Sequence, residues 1–421
     1  MNRSDAQFLR TNAPWLGAGL LLTFSSSYGQ TFFIAVFAGD IRETFALSHG
    51  AWGGIYAAGT LCAALVMVWA GTLTDRFRAR TIGTVNLCLM SLACMAMALV
   101  PSGWALVPVI LALRLFGQGM MGQIAITAMS RWFVATRGRA LSITSLGFAL
   151  GEGLLPVLFA TLLAGGLFWR EAWMLAALLP LAAIPLLRVL LRAERTPRGD
   201  QGIAHSSGRS GRHWQRRDML RDPLFWWLVP ALTAPPAFVT ALFFQQVHLA
   251  DTKGWAHVQL VALFPAYTAS GVAATLASGW LIDRLGAVRI LPIFLLPMAL
   301  GFLLMSWTAT LSVALVALVL VAMAQGTFHT ANAAALTELY GTRHIGAIRA
   351  LAIAVMVFAT AIGPVITGLL IDTGLPFSGQ MPWIAAWMLI ASLLAQIGLI
   401  RSSAFSRHRP PTLETAGDER P

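Results

Sequence analysis

Apolar residues fall in long runs along this chain, separated by short polar segments. Twelve runs can be traced, near 14–39, 48–70, 82–100, 104–130, 140–164, 171–192, 223–248, 257–280, 289–307, 311–337, 346–371 and 381–400. Their lengths, roughly 20–27 residues, suit α-helices crossing a hydrocarbon core about 30 Å thick. None shows the two-residue alternation of a barrel strand. Helices and closed barrels are the only spanning structures, because lipid offers no partner for a free backbone polar group. The pattern predicts an all-α membrane protein with twelve transmembrane helices. The wide gap at 193–221 is rich in Arg, Gly and Ser and reads as a flexible basic linker. It separates a six-helix bundle at 1–192 from a second at 222–402, and a polar tail at 403–421 reads as disordered.

Composition agrees with the pattern. Hydrophobic residues make up 57% of the 421 positions and charged residues only 11%, against about 25% charged in a soluble domain. The net charge of +12 need not mean nucleic acid, since 28 of the 29 cations are Arg and they sit between apolar runs. Arg76, Arg78, Arg80, Arg131, Arg137 and Arg139 alternate with nearly uncharged segments, and the linker adds seven arginines from Arg195 to Arg221. The other side carries only Arg42, Arg170 and Lys253. The positive-inside rule then places both termini in the cytoplasm of a plasma membrane, read as a bacterial inner membrane. Cys62, Cys88 and Cys94 all lie within apolar runs and form neither a disulfide framework nor a metal-ligand spacing. The first run is too long for the core of a signal peptide and reads as a retained helix.

The halves echo one another. Gly71, Leu73, Asp75 and Arg76 recur as Gly279, Leu281, Asp283 and Arg284, and Gln118–Gly119 recurs as Gln325–Gly326. Such an offset indicates duplication, the usual basis of two-lobed transporters. The paired G-x-L-x-D-R signatures resemble motif A of the major facilitator superfamily, across nearly the whole chain. That resemblance implies two pseudo-symmetric six-helix bundles rocking about a central cavity. It also implies a cytoplasmic latch built from Gly71, Asp75, Arg76, Arg131, Gly279, Asp283 and Arg284. Glycines there permit close helix contact, and the aspartates can accept hydrogen bonds at a neighbouring helix N-terminus. Arg78 stands where the family usually has glycine, whereas Gly286 keeps it. RWFVATRGRALSI at 131–143 and the glycine-rich fifth run resemble the monocarboxylate-porter branch and its oxalate/formate relatives. Those porters often carry ionisable residues in helices 8 or 11, and the interiors of runs 8 and 11 here have none.

Few ionisable residues lie at membrane depth: Arg114, Glu152 and His329. A lone charge there costs about 2.5–3.5 kcal/mol on insertion scales, so each is a functional candidate with a partner to be named. Arg114 in run 4 and Glu152 in run 5 lie at depths within ~6 Å of each other at 1.5 Å per residue. The expectation is that they pair, directly or through water, as a fixed structural pair or as a site where an arriving anion competes for Arg114 and Glu152 exchanges a proton. By resemblance, Arg114 followed by Gly117, Gln118 and Gly119 loosely matches motif B, which is linked to coupling. Gln325, His329 and Asn332 share one face of run 10. Run 1 holds the polar band SSSYGQT at 25–31, with Tyr28 and Gln30, and Pro230, Pro235 and Pro236 predict a kink in run 7.

No Walker loop, HExxH or CxxC is found, so neither ATP, a metal nor a cofactor is implied and the chain does not read as an enzyme. The sequence reads as a secondary active transporter, working as a monomer in lipid. Its substrate is a small polar or anionic, monocarboxylate-like metabolite, with protons as the coupling ion. Efflux of lipophilic compounds is the first alternative, although Gly151–Glu152 stands where such antiporters have Gly-Pro. A membrane sensor that binds solute without moving it is the remote one.

Overall fold

A computed structural model describes residues 3–133, 136–193, 209, 214–341 and 344–402. Of the linker only 193, 209 and 214–221 are described, and the expectation for the tail at 403–421 lies outside the described residues. Eleven helices are long and apolar enough to span a bilayer, and a bent pair makes a twelfth. In chain order they are α1 (Gln7–Gly29 with Thr31–Thr44), α2 (His49–Ala70), α3 (Ala79–Ala98), α4 (Leu106–Trp132), α5 (Gly138–Ala164) and α6 (Trp169–Leu190). The second set comprises α7 (Pro223–Phe244), α8 (His257–Leu285), α9 (Ala287–Trp307), α10 (Leu311–Tyr340), α11 (Ile348–Asp372) and α12 (Phe377–Arg401). Within the first bundle α3 packs on α6, α1 on α5 and α2 on α4; within the second, α8 packs on α10, α9 on α12 and α7 on α11.

Side chains punctuate the helices where the backbone needs partners. Ser48 accepts from the Ala51 N–H at the start of α2 (3.1 Å). Asp222 accepts from the Leu224 N–H (3.2 Å) ahead of Pro223, the first residue of α7. The same carboxylate takes two bonds from Arg209 and one from the Tyr340 hydroxyl, which ties the linker to the end of α10. Glu338 accepts from the Ala287 and Val288 N–H groups at the start of α9.

The two bundles meet most closely along α2 and α11. A Cβ on Gly53 would lie 2.8 Å from the Pro364 carbonyl oxygen, and one on Gly368 would lie 2.8 Å from the His49 carbonyl carbon. Only glycine lets the backbones approach so far. Asp372, at the end of α11, then caps the start of α2: its Oδ1 accepts from the His49 N–H (2.9 Å), and its Oδ2 from the Gly50 N–H (2.8 Å) and the Ser48 hydroxyl (2.7 Å). A carboxylate on a helix N-terminus also meets the positive end of the macrodipole. His248 packs its ring on His49, with centroids 4.6 Å apart. Burial and the nearby Arg42 hold the His248 imidazole below the ordinary value. At the other end of α2, residues 64–73 include none that is buried. The bundles are thus clasped at one end and apart at the end carrying the arginine-rich loops.

Asp372→Asn keeps the shape but loses the charge and one acceptor pair. It should weaken the clasp by about 1–2 kcal/mol, roughly a tenfold shift toward the unclasped state. Labelling of a cysteine placed at Phe244 should speed up accordingly, because Phe244 is buried between the bundles against Trp52 and Tyr56 of α2. An unchanged labelling rate would remove Asp372 from the gate.

Candidate functional site

The polar band in run 1 breaks α1 halfway across. Ser26–Gly29 forms a tight turn, Gln30 is extended (φ −88°, ψ 154°), and the helix resumes at Thr31 with a 48° bend. The predicted proline break in run 7 is weaker than this: α7 remains one helix through Pro230, Pro235 and Pro236. The break in α1 frees carbonyls that must be satisfied in lipid. Arg114 donates from Nη1 to the Gly29 oxygen (3.1 Å), and Gln246 of the second bundle donates to the Phe32 oxygen (3.2 Å). Opposite the break, α4 widens into a π-helical stretch at Arg114–Met121. Such stretches are frequent at functional sites. Gly29 and Gly117 face one another there: a Cβ on Gly117 would lie 2.6 Å from the Gly29 Cα.

These features open onto a cavity of about 620 Å³ between the bundles. Gln30, Arg114, Gln118, Glu152, Gln325, His329 and Asn332 all line it, so seven of the eight candidate residues come together. Tyr28 does not. It is buried and packs edge-on against Phe33 (5.6 Å), because the turn at Ser26–Gly29 rotates it into the first bundle's core.

Arg114 and Glu152 were expected to pair, directly or through water; among the described residues no direct hydrogen bond or ion pair joins them. Arg114 instead lies over the Tyr56 ring, 5.3 Å from its centroid, and its Nε has no hydrogen-bond partner. Glu152 accepts a hydrogen bond from Thr268 of α8 (3.1 Å), across the boundary between the bundles. Two glycines explain how this carboxylate is approached from both sides. A Cβ on Gly151 would fall on the Ser27 hydroxyl of α1, and one on Gly153 would lie 3.5 Å from Pro265 of α8. Both groups reach the same cavity, as their matched depths indicated, but each found a nearer partner.

In α10, Gln325 Nε2 and His329 Nε2 are 3.2 Å apart, and Asn332 Nδ2 reaches the Met356 sulfur at 3.6 Å. Gln325 Oε1 and Asn332 Oδ1 are buried without partners. Sequence reasoning missed Tyr56, Phe148, Phe243, Tyr267 and Thr268. Phe148 was readable, lying four residues before Glu152 on the same face of α5, whereas nothing local marks Thr268.

The described residues of the gating signature make separate contacts. Arg131 donates to the Thr74 carbonyl (3.0 Å), joining the end of α4 to the loop after α2. Arg284 stacks on Trp280 at 3.8 Å, and Arg76 and Asp283 are exposed. The Asp75 side chain lies outside the described residues. The close contact expected of the glycines does not occur here. A Cβ on Gly279 would meet nothing within 4 Å, and one on Gly71 would meet only Met67 of its own helix, because the bundles are apart at this end. Gly286 has φ 84°, the turn that glycine permits, whereas Arg78 is extended (φ −65°), so the two loops turn differently.

Two six-helix bundles clasped at one end around a polar cavity at mid-depth define the architecture of a secondary transporter. The sequence profile of the Major Facilitator Superfamily matches residues 19–348 and 247–420, and the chain belongs to that family of transporters. An uncharacterized 38 kDa protein in the 23S RNA operon of Thermoproteus tenax is 28% identical over 297 residues, 70% of this chain and 72% of that one. A gallate transporter of Pseudomonas putida is 32% identical over 159 residues, 37% of this chain and about a third (34%) of its own length. Among solved structures, a bacterial homologue of the human lysosomal transporter Spinster, inward-facing and unoccupied, aligns with TM-score 0.67 and 18% identity, covering 94% of this chain and 96% of its own. A point mutant of the nucleoside transporter NupG aligns with TM-score 0.69 and 12% identity, covering 93% of this chain and 99% of its own.

Proposed function

We propose that this protein moves a small organic anion across the membrane by alternating access, with a proton as the coupling ion. The single observation that carries the reading is Arg114: a buried guanidinium on the cavity wall, with no carboxylate paired to it and an unpartnered Nε. A cation left unpaired at that depth is costly unless a ligand supplies the counter-charge. Glu152, on the same cavity and held by Thr268 of the opposite bundle, is the group placed to carry the proton. Because its partner lies across the bundle boundary, rocking the bundles breaks or makes that contact, which links the proton site to the conformational change. With the arginine-rich loops in the cytoplasm, the clasp at Asp372 closes the outer side and the cavity opens inward. The relatives named for gallate and nucleoside transport support movement of small polar solutes by this fold.

Glu152→Gln tests the proton role cleanly, because Gln retains an acceptor for Thr268 and nearly the same shape. Uptake of a small carboxylate such as benzoate into proteoliposomes should lose its stimulation by an inward proton gradient, while exchange of benzoate across the membrane persists. Full gradient-driven uptake by this variant would remove Glu152 from coupling.

A further inference from the structure

The lining of the cavity says more about the anion than its charge. Three residues that line the cavity each carry a buried polar atom without a partner: Arg114 with Nε, a donor from the first bundle, and Gln325 with Oε1 and Asn332 with Oδ1, acceptors from the second. A ligand that satisfies all three carries an acceptor group at one end and O–H or N–H donors at the other. The same cavity wall carries a continuous aromatic band. Phe148 of α5 meets Phe32 at 5.7 Å, Phe32 meets Phe243 of α7 at 6.2 Å, and Phe243 meets Tyr267 of α8 at 5.2 Å, all edge to face. All four rings line the cavity. A flat ring extends such a herringbone with its edges on their faces, whereas a saturated or short aliphatic chain does not.

We infer that the substrate is an aromatic carboxylate bearing hydroxyl donors on its ring, held by its carboxylate at Arg114 and by its hydroxyls at Gln325 and Asn332. This rests on the organic-anion reading above and narrows it to one substrate class. The two ends of such a molecule touch different bundles, so binding it draws the bundles together around the ring. A bridging ligand of this kind is what an alternating-access cycle needs, since its contacts are complete only in the closed state.

Thermal shift on the purified full chain tests the class with 3,4-dihydroxybenzoate, benzoate, cyclohexanecarboxylate and catechol. The expected order of affinity is dihydroxybenzoate, then benzoate about tenfold weaker, then cyclohexanecarboxylate weaker again, with catechol ineffective. A tenfold step is the size of one good hydrogen bond. In Asn332→Leu, and separately in Gln325→Met, the dihydroxybenzoate-to-benzoate ratio should fall from about ten to about three, since each acceptor carries roughly half of the preference; whichever variant folds gives the answer. If cyclohexanecarboxylate matches benzoate, or the ratio is near one in the unaltered protein, the aromatic-hydroxyl assignment is overturned while the organic-anion reading stands. If no carboxylate stabilises the protein, both fall together.

Discussion

Replacing Arg114 by Gln should reduce benzoate uptake and benzoate binding by at least about 100-fold. Removing one partner of a buried charge pair costs about 2–5 kcal/mol, and about 2.7 kcal/mol is already two decades of affinity. Gln keeps a donor for the Gly29 carbonyl, so the break in α1 retains its support and the fold is expected to survive. Arg114→Lys should recover little, because an ammonium lacks the planar fork that serves Gly29 and a carboxylate at once. Binding is read by isothermal titration on purified protein, with size-exclusion profiles confirming the fold. Near-normal binding by Arg114→Gln would move the anion site away from α4.

The second large effect is steric. Gly29→Ala should prevent α1 and α4 from packing, since its methyl would fall on the Leu113 carbonyl oxygen and 2.8 Å from the Gly117 Cα. These are backbone atoms and cannot swing away as a side chain would. Overpacking costs typically about 1–3 kcal/mol and more where nothing yields. The expected result is a melting temperature lowered by several degrees and loss of uptake even where protein is recovered. Gly138→Ala is the control, because a Cβ there meets nothing within 4 Å, and it should behave as the unaltered protein. Equal stability of the two variants would mean that the Gly29–Gly117 contact is not what shapes the cavity.

The spans and the two bundles were legible because a bilayer imposes length and hydrophobicity on every helix, and those are properties of the sequence itself. The runs traced from 48, 223, 257 and 311 begin within one residue of α2, α7, α8 and α10. Most of the others differ by a few positions, close to the ordinary scatter of helix ends. The start of α1 lies further upstream, at Gln7, because the polar residues before Pro14 continue the helix beyond the apolar stretch. Arg114, Glu152 and His329 were legible because charge at that depth is conspicuous. What stayed hidden depends on which helix faces which. Glu152 binds Thr268, 116 positions away, and no local pattern marks that threonine. The break at Gln30 was half visible as a polar band, yet three prolines pointed to run 7 instead; α7 absorbs them, while α1 breaks where Gly29 meets α4. The repeat also gave no sign of Asp372, whose carboxylate caps α2 across the bundles at the opposite end from Asp75 and Asp283.

The central claim is that an anion at Arg114 and a proton at Glu152 move together, and lumenal pH measures it directly. Proteoliposomes loaded with a pH-sensitive dye, with the membrane potential clamped at zero, receive 3,4-dihydroxybenzoate outside. The lumen should acidify faster than in protein-free liposomes, and both Arg114→Gln and Glu152→Gln should abolish the excess. Acidification by Glu152→Gln at the unaltered rate would contradict the account.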